Sequence, residues 1–155
     1  MQDFQQIING NLVNIANQNL IFGSKIDADL TDWLNLEYAG SWTFSNNKLE
    51  ELKQPQVKQQ NHILNLNFNL KNKQYFGLKS EYVNTTLFHE RNENVFADFI
   101  YRYTIQKKKI DFEMQVNNVF GTNNFKTINV NDFSYVTTNF MLRPRQLLFK
   151  VRFSL

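Results

Sequence analysis

Leu147-Leu148-Phe149-Lys150-Val151-Arg152-Phe153-Ser154-Leu155 sets Leu147, Phe149, Val151, Phe153 and Leu155 in one phase and Lys150, Arg152 and Ser154 in the other. Successive side chains of a strand point to opposite faces, so a period of two reads as a β-strand with one apolar and one polar face. The same rhythm recurs upstream. It places strands at about 19–30, 33–46, 62–71, 74–84, 94–106, 109–120 and 144–155. Helical periodicity is weak throughout, with Lys48 to Leu52 the one short exception.

The charged residues inside these strands all fall in the polar phase: Lys25, Asp27, Glu37, Lys79, Glu81, Asp98, Arg102, Asp111, Glu113, Lys150 and Arg152. A register slip of one residue would turn whole rows over, so such consistency requires one face of the sheet to meet something uniformly apolar. Residues two apart on a strand merely share a face, so Asp27 with Asp29, and Asp111 with Glu113, read as a polar row rather than as acid–base pairs. Truncation to Ala along this row is expected to be mild.

The chain has 155 residues, enough for one domain or a fragment of a larger one. Hydrophobic residues make up 42% and aromatics 15%, with Gly and Pro scarce, which suits strands and excludes disorder. The net charge is +3, and the basic residues are scattered apart from Lys107-Lys108-Lys109, which reads as a solvated turn; no nucleic-acid footprint stands out. With no cysteine there is no disulfide, thiolate metal site or cysteine nucleophile. His62 and His89 have no second ligand at metal spacing, and no phosphate loop or nucleophile elbow occurs. Asn84-Thr85-Thr86 matches a glycosylation sequon, a pattern too short to carry an argument alone. No catalytic site, cofactor or metal is expected.

Alternation leaves open whether the apolar face points into a core or out into lipid. No run of about eighteen apolar residues exists, which excludes a spanning helix but not barrel strands. Three features favour lipid. Short turns at Thr31-Asp32, Asn72-Lys73 and Lys107-Lys108 alternate with long connections at 47–61 and 85–94, as the turns and outer loops of an outer-membrane barrel do. Aromatics of the apolar phase gather near strand ends: Trp42, Phe44, Phe76, Tyr82, Tyr101, Tyr103 and Phe153. Strand parity also works, provided that Ile128 to Met141 is an outer loop. The expected fold is therefore all-β, an antiparallel up-and-down segment of a larger transmembrane barrel. It has about seven strands, or eight if Phe133 to Leu142 is a full strand. Residues 1–17 are expected as an outer loop arriving from an earlier strand. Met1-Gln2-Asp3-Phe4-Gln5-Gln6 carries no secretion signal, so the chain is expected to be incomplete. Two alternatives stand beside this reading: a soluble all-β ligand-binding module, and a small self-contained barrel of eight strands.

The ending Leu142-Arg143-Pro144-Arg145-Gln146 followed by 147–155 resembles the last strand of TonB-dependent outer-membrane receptors, in particular the SusC-like and carboxypeptidase-regulatory-like group. Asn117-Asn118-Val119-Phe120-Gly121 resembles that family's penultimate-strand N-N-L-F motif, and Ile110-Asp111-Phe112-Glu113 and Thr31-Asp32-Trp33 fit the same barrel. The family usually ends in Phe where this chain has Leu155, and tends to carry Asp or Asn where this chain has Gly121. The resemblance implies a barrel of about twenty-two strands around an N-terminal plug, importing a nutrient with energy delivered through TonB. It further implies outer-membrane lipid and the barrel-assembly machinery as partners. The eleven charged residues would line the lumen, and Leu147, Phe149, Val151, Phe153 and Leu155 would form the assembly signal. The outer loops 47–61, 85–94 and 128–141 are the expected ligand contacts.

Overall fold

The computed structural model describes residues 2–8, 10–50, 52–88, 90–130 and 135–153. Among the described residues eleven strands run in chain order: β1 (Gln2–Ile8), β2 (Asn11–Thr31), β3 (Leu34–Leu49), β4 (Leu52–Lys53), β5 (Val57–Leu70), β6 (Gln74–Leu87), β7 (Glu90–Ile105), β8 (Ile110–Asn117), β9 (Asn124–Val130), β10 (Tyr135–Met141) and β11 (Gln146–Phe153). The fold is all-β and every pairing is antiparallel.

One large sheet has the order β1-β2-β3-β5-β6-β7-β8-β11, with β4 paired to β3; β9 and β10 form a second, two-stranded sheet. Up-and-down order follows from the turns. Asn72 and Lys73 at φ 63° and 58°, and Lys109 at φ 51°, take the left-handed conformation that tight hairpins demand. The large sheet does not close on itself: among the described residues β11 pairs only with β8, and β2 from Gln18 onward pairs only with β3.

Several expected loops are strands. Residues 1–17, read as an outer loop, hold β1 and the start of β2, paired from Gln2↔Asn17 to Ile8↔Asn11. The connection at 47–61 shortens because β3 continues to Leu49 and β5 begins at Val57, and 85–94 shortens because β6 reaches Leu87 and β7 begins at Glu90. Lys48 to Leu52 is no helix: Glu50 turns at φ 55° and β4 follows. Backbone pairing with a neighbour carries these extensions, so they need no apolar alternation. His89, Phe133, Ser154 and Leu155 lie outside the described residues.

The molecule has almost no core. Buried apolar side chains are Ile15, Val57, Leu87, Ala97 and Ile128. The chain exposes 11332 Å². A compact soluble monomer of 18.5 kDa exposes about 8,200 Å². A single layer of sheet, with one face uncovered and the other covered only in part, accounts for the excess.

Candidate functional site

Register places all eleven predicted charged residues on one face. Asp27 faces Glu37, Glu37 faces Asn65, Asn65 faces Lys79 and Lys79 faces Asp98 across four successive strand pairs. Two rows along, past Gly77, Ile100 and Gln115, Tyr75 faces Arg102, Arg102 faces Glu113 and Glu113 faces Lys150, with Asp111 opposite Arg152. Lys25 and Glu81 lie one pair further along, opposite Ala39 and Ile63. Apolar residues also stand on this face, among them Ile21, Ile63, Val83, Phe96, Ile100 and Leu148.

The structure separates these charges into unequal roles. Glu113 is 6% exposed and accepts from Lys150 Nζ (3.0 Å), Arg102 Nη2 (3.0 Å) and Arg152 Nη2 (3.3 Å), so one carboxylate ties β7, β8 and β11 together. Arg102 also lies 5.6 Å from the centre of the Tyr75 ring. Truncation should cost more at Glu113 than elsewhere in the row, because three cations would lose their common counter-charge. Lys79 and Asp98 are directly opposed yet form no ion pair; Asp98 Oδ1 instead accepts from the Asn118 backbone N–H at 2.8 Å.

At the acidic end, Asp27 and Glu37 face one another as like charges. Asparagines relieve them: Asn35 Nδ2 donates to Asp27 (3.2 Å) and Asp29 (3.0 Å), and Asn65 Nδ2 donates to Glu37 (3.0 Å). The ladder continues through Asn67, which donates to Asn35 Oδ1 at 3.3 Å and accepts from the Tyr75 hydroxyl at 2.8 Å. Alternation puts these asparagines on the polar face but does not single them out, because any polar residue satisfies it equally. Tyr75 can lie flat here because the residue two beyond it is Gly77; a Cβ there would sit 2.7 Å from Ile100 Cγ2 and 2.8 Å from the Tyr75 hydroxyl.

The β9–β10 hairpin folds over this same polar face. Asn92 and Asn94 Nδ2 both donate to the Lys126 carbonyl, at 2.6 and 3.1 Å, and Phe125 meets Phe96 edge-on at 5.5 Å. Val57, Leu87 and Ile128 close the contact as a small apolar cluster. Asn118 holds both ends of the excursion: its Nδ2 donates to the Thr122 and Arg143 carbonyls, at 2.8 and 3.1 Å, and its Oδ1 accepts from Thr122 N at 2.8 Å. Below the hairpin lies a groove of about 500 Å³ bounded by Lys79, Glu81, Phe96, Asp98 and Arg143. A second groove of about 320 Å³ shares Lys79 and Asp98 and extends to Glu37 and Tyr75.

The opposite face carries an apolar band that crosses the sheet. Ala28, Leu36, Leu66, Leu78, Phe99, Val116 and Leu147 form one continuous row over seven strands. The next row holds Phe68, Phe76, Tyr101, Met114 and Phe149. Leu147, Phe149, Val151 and Phe153 of β11 are 55%, 70%, 48% and 70% exposed, at the sheet edge. Aromatic clusters bound the face at both ends. At one, Trp42 meets His62 edge-on at 4.8 Å and Tyr38 hydrogen-bonds His62 Nδ1 at 2.7 Å. At the other, Trp33 stacks on Phe68 at 6.1 Å and Phe76 lies 4.6 Å from Tyr101.

The chain matches no protein-family model, no curated protein and no solved structure. Beyond the Trp42–His62–Tyr82 cluster the same face becomes polar, with Gln60, Asn84 and Glu93 and then Lys58, Thr86 and Arg91. Arg91 pairs with Glu93 and donates to the Tyr82 hydroxyl at 2.9 Å, and that bond first, then Glu93, raises its pKa above the ordinary arginine value. Among the described residues no three His, Asp or Glu side chains converge as a metal site, and no helix is long and apolar enough to cross a membrane.

Proposed function

We propose that this chain is a wall segment of a transmembrane β-barrel in a bacterial outer membrane, belonging to a receptor of the TonB-dependent class that takes up a nutrient. The observation that carries the barrel reading is the apolar row from Ala28 to Leu147, unbroken over seven strands and opposed on the reverse face by the eleven charged residues. The band between aromatic clusters, Leu34 to Trp42 on β3 and His62 to Phe68 on β5, is about seven to nine residues tall, close to the length a tilted barrel strand needs to cross lipid. Lipid would cover the apolar face. The polar face would line the lumen, with the β9–β10 hairpin folded inward over its outer end.

An open edge in lipid is costly, so further barrel strands would pair with β2 and β11. The assignment to the TonB-dependent class rests on the sequence resemblance alone. On that reading the plug, the barrel-assembly machinery and TonB are the partners, Leu147, Phe149, Val151, Phe153 and Leu155 form the assembly signal, and the chain performs no catalysis.

Expression without detergent tests the barrel reading. The wall segment should aggregate in buffer and acquire strand structure on transfer to detergent or lipid. A compact, detergent-free monomer would overturn it in favour of a soluble module.

A further inference from the structure

Two hairpin turns 34 residues apart in sequence become neighbours on one rim of the sheet. The turn Lys71–Lys73 joins β5 to β6 and the turn Gln106–Lys109 joins β7 to β8, and β6 and β7 are adjacent. Two strand spacings separate them, about 10 Å. Together they present Lys71, Lys73, Lys107, Lys108 and Lys109, all exposed, with Asp32 in the next turn and Asp111 at the start of β8 as acidic residues nearby. Among the described residues none of the five pairs with a carboxylate. A solvated turn needs no such concentration: five of the chain's seventeen basic residues lie in two turns.

We propose that this rim binds anionic phospholipid headgroups. The inference rests on the apolar face being the lipid face. The five lysines lie immediately beyond the Trp33–Phe68 and Phe76–Tyr101 aromatic contacts that end the apolar band, which is the height at which headgroup phosphates would sit. Lysines at a bilayer surface attract anionic lipid additively, each worth about a fivefold gain in partition at low salt. Their position on turns leaves the ammonium groups free to reach outward without disturbing either face. An acidic polypeptide or a nucleic acid would be drawn by the same charge, but neither accounts for the aromatic belt beside it.

Flotation of the full chain with phosphatidylcholine vesicles, with and without about a third phosphatidylglycerol, tests the proposal. Partition should rise at least about tenfold with the anionic lipid, and the gain should vanish near 1 M salt. The variant K71Q/K73Q/K107Q/K108Q/K109Q should bind both vesicles equally, at the wild-type level for phosphatidylcholine. The corresponding five-arginine variant should restore the preference, and K71Q/K73Q alone should fall between. Equal wild-type partition into the two vesicles overturns the headgroup site and leaves the barrel reading standing. Failure to enter either vesicle contradicts the barrel reading and removes this inference with it.

Discussion

Lys150 Nζ lies 3.0 Å from Glu113 Oε1, and this contact joins the last strand of the sheet to β8 at its most buried carboxylate. Arg102 reaches the other carboxylate oxygen from β7, so the three strands share one anion. Glu113→Gln should destabilise the lipid-folded chain by about 1–3 kcal/mol, below the cost of breaking a fully enclosed pair because the cations are half-exposed. Lys150→Ala, which leaves Glu113 two arginines, should cost about 1 kcal/mol or less. Denaturant titration in detergent or lipid reads both, and equal effects would contradict the shared-anion account.

Adding charge to the two faces should have unequal effects. Phe99→Arg or Leu66→Arg, in the middle of the apolar band, should cost about 2–4 kcal/mol in a lipid bilayer. Lys79→Ala on the polar face should stay within about 0.5 kcal/mol. Unfolding of the three variants from the same vesicles gives the comparison.

Gly77→Ala should cost about 1–3 kcal/mol, because the new Cβ meets Ile100 Cγ2 and the Tyr75 hydroxyl, at 2.7 and 2.8 Å. Part of that cost should vanish in a Tyr75→Ala background, where the ring no longer covers the glycine. A double-mutant cycle measures the coupling, and additivity would show that the ring is not the obstacle.

Asn123 and Leu142 are already in contact, the Leu142 N–H donating to the Asn123 carbonyl at 2.8 Å. Excision of Asn124–Met141 with a two-residue link should therefore leave the β8–β11 pairing intact, seen as unchanged amide protection in those strands. Phe96 and the amides of Asn92 and Asn94 should lose protection from solvent. Collapse of the main sheet would mean that the hairpin supports the wall rather than folding across it.

Alternation in the sequence specifies the faces because a period of two is a local property: Leu66 and Asn67 take opposite sides whatever their neighbours do. The seven long strands of the main sheet follow from it. Burial of Glu113 does not, since it depends on Arg102, Lys150 and Arg152, residues 11, 37 and 39 positions away. β1 and the β9–β10 hairpin carry Asn, Gln, Lys and Thr without sustained alternation and are held by backbone pairing and by docking, neither of which leaves a periodic trace. The clustering of Lys71 and Lys73 with Lys107–Lys109 likewise exists only once strand order is known.

The central claim is that one face meets lipid and the other does not, and the absence of native cysteine makes it directly measurable. Single cysteines at 66, 78 and 99, and at the opposite-face positions 67, 79 and 98, are labelled with an environment-sensitive fluorophore in lipid vesicles. Brominated lipid should quench the first set and iodide the second. Equal quenching of both sets by iodide would contradict the account.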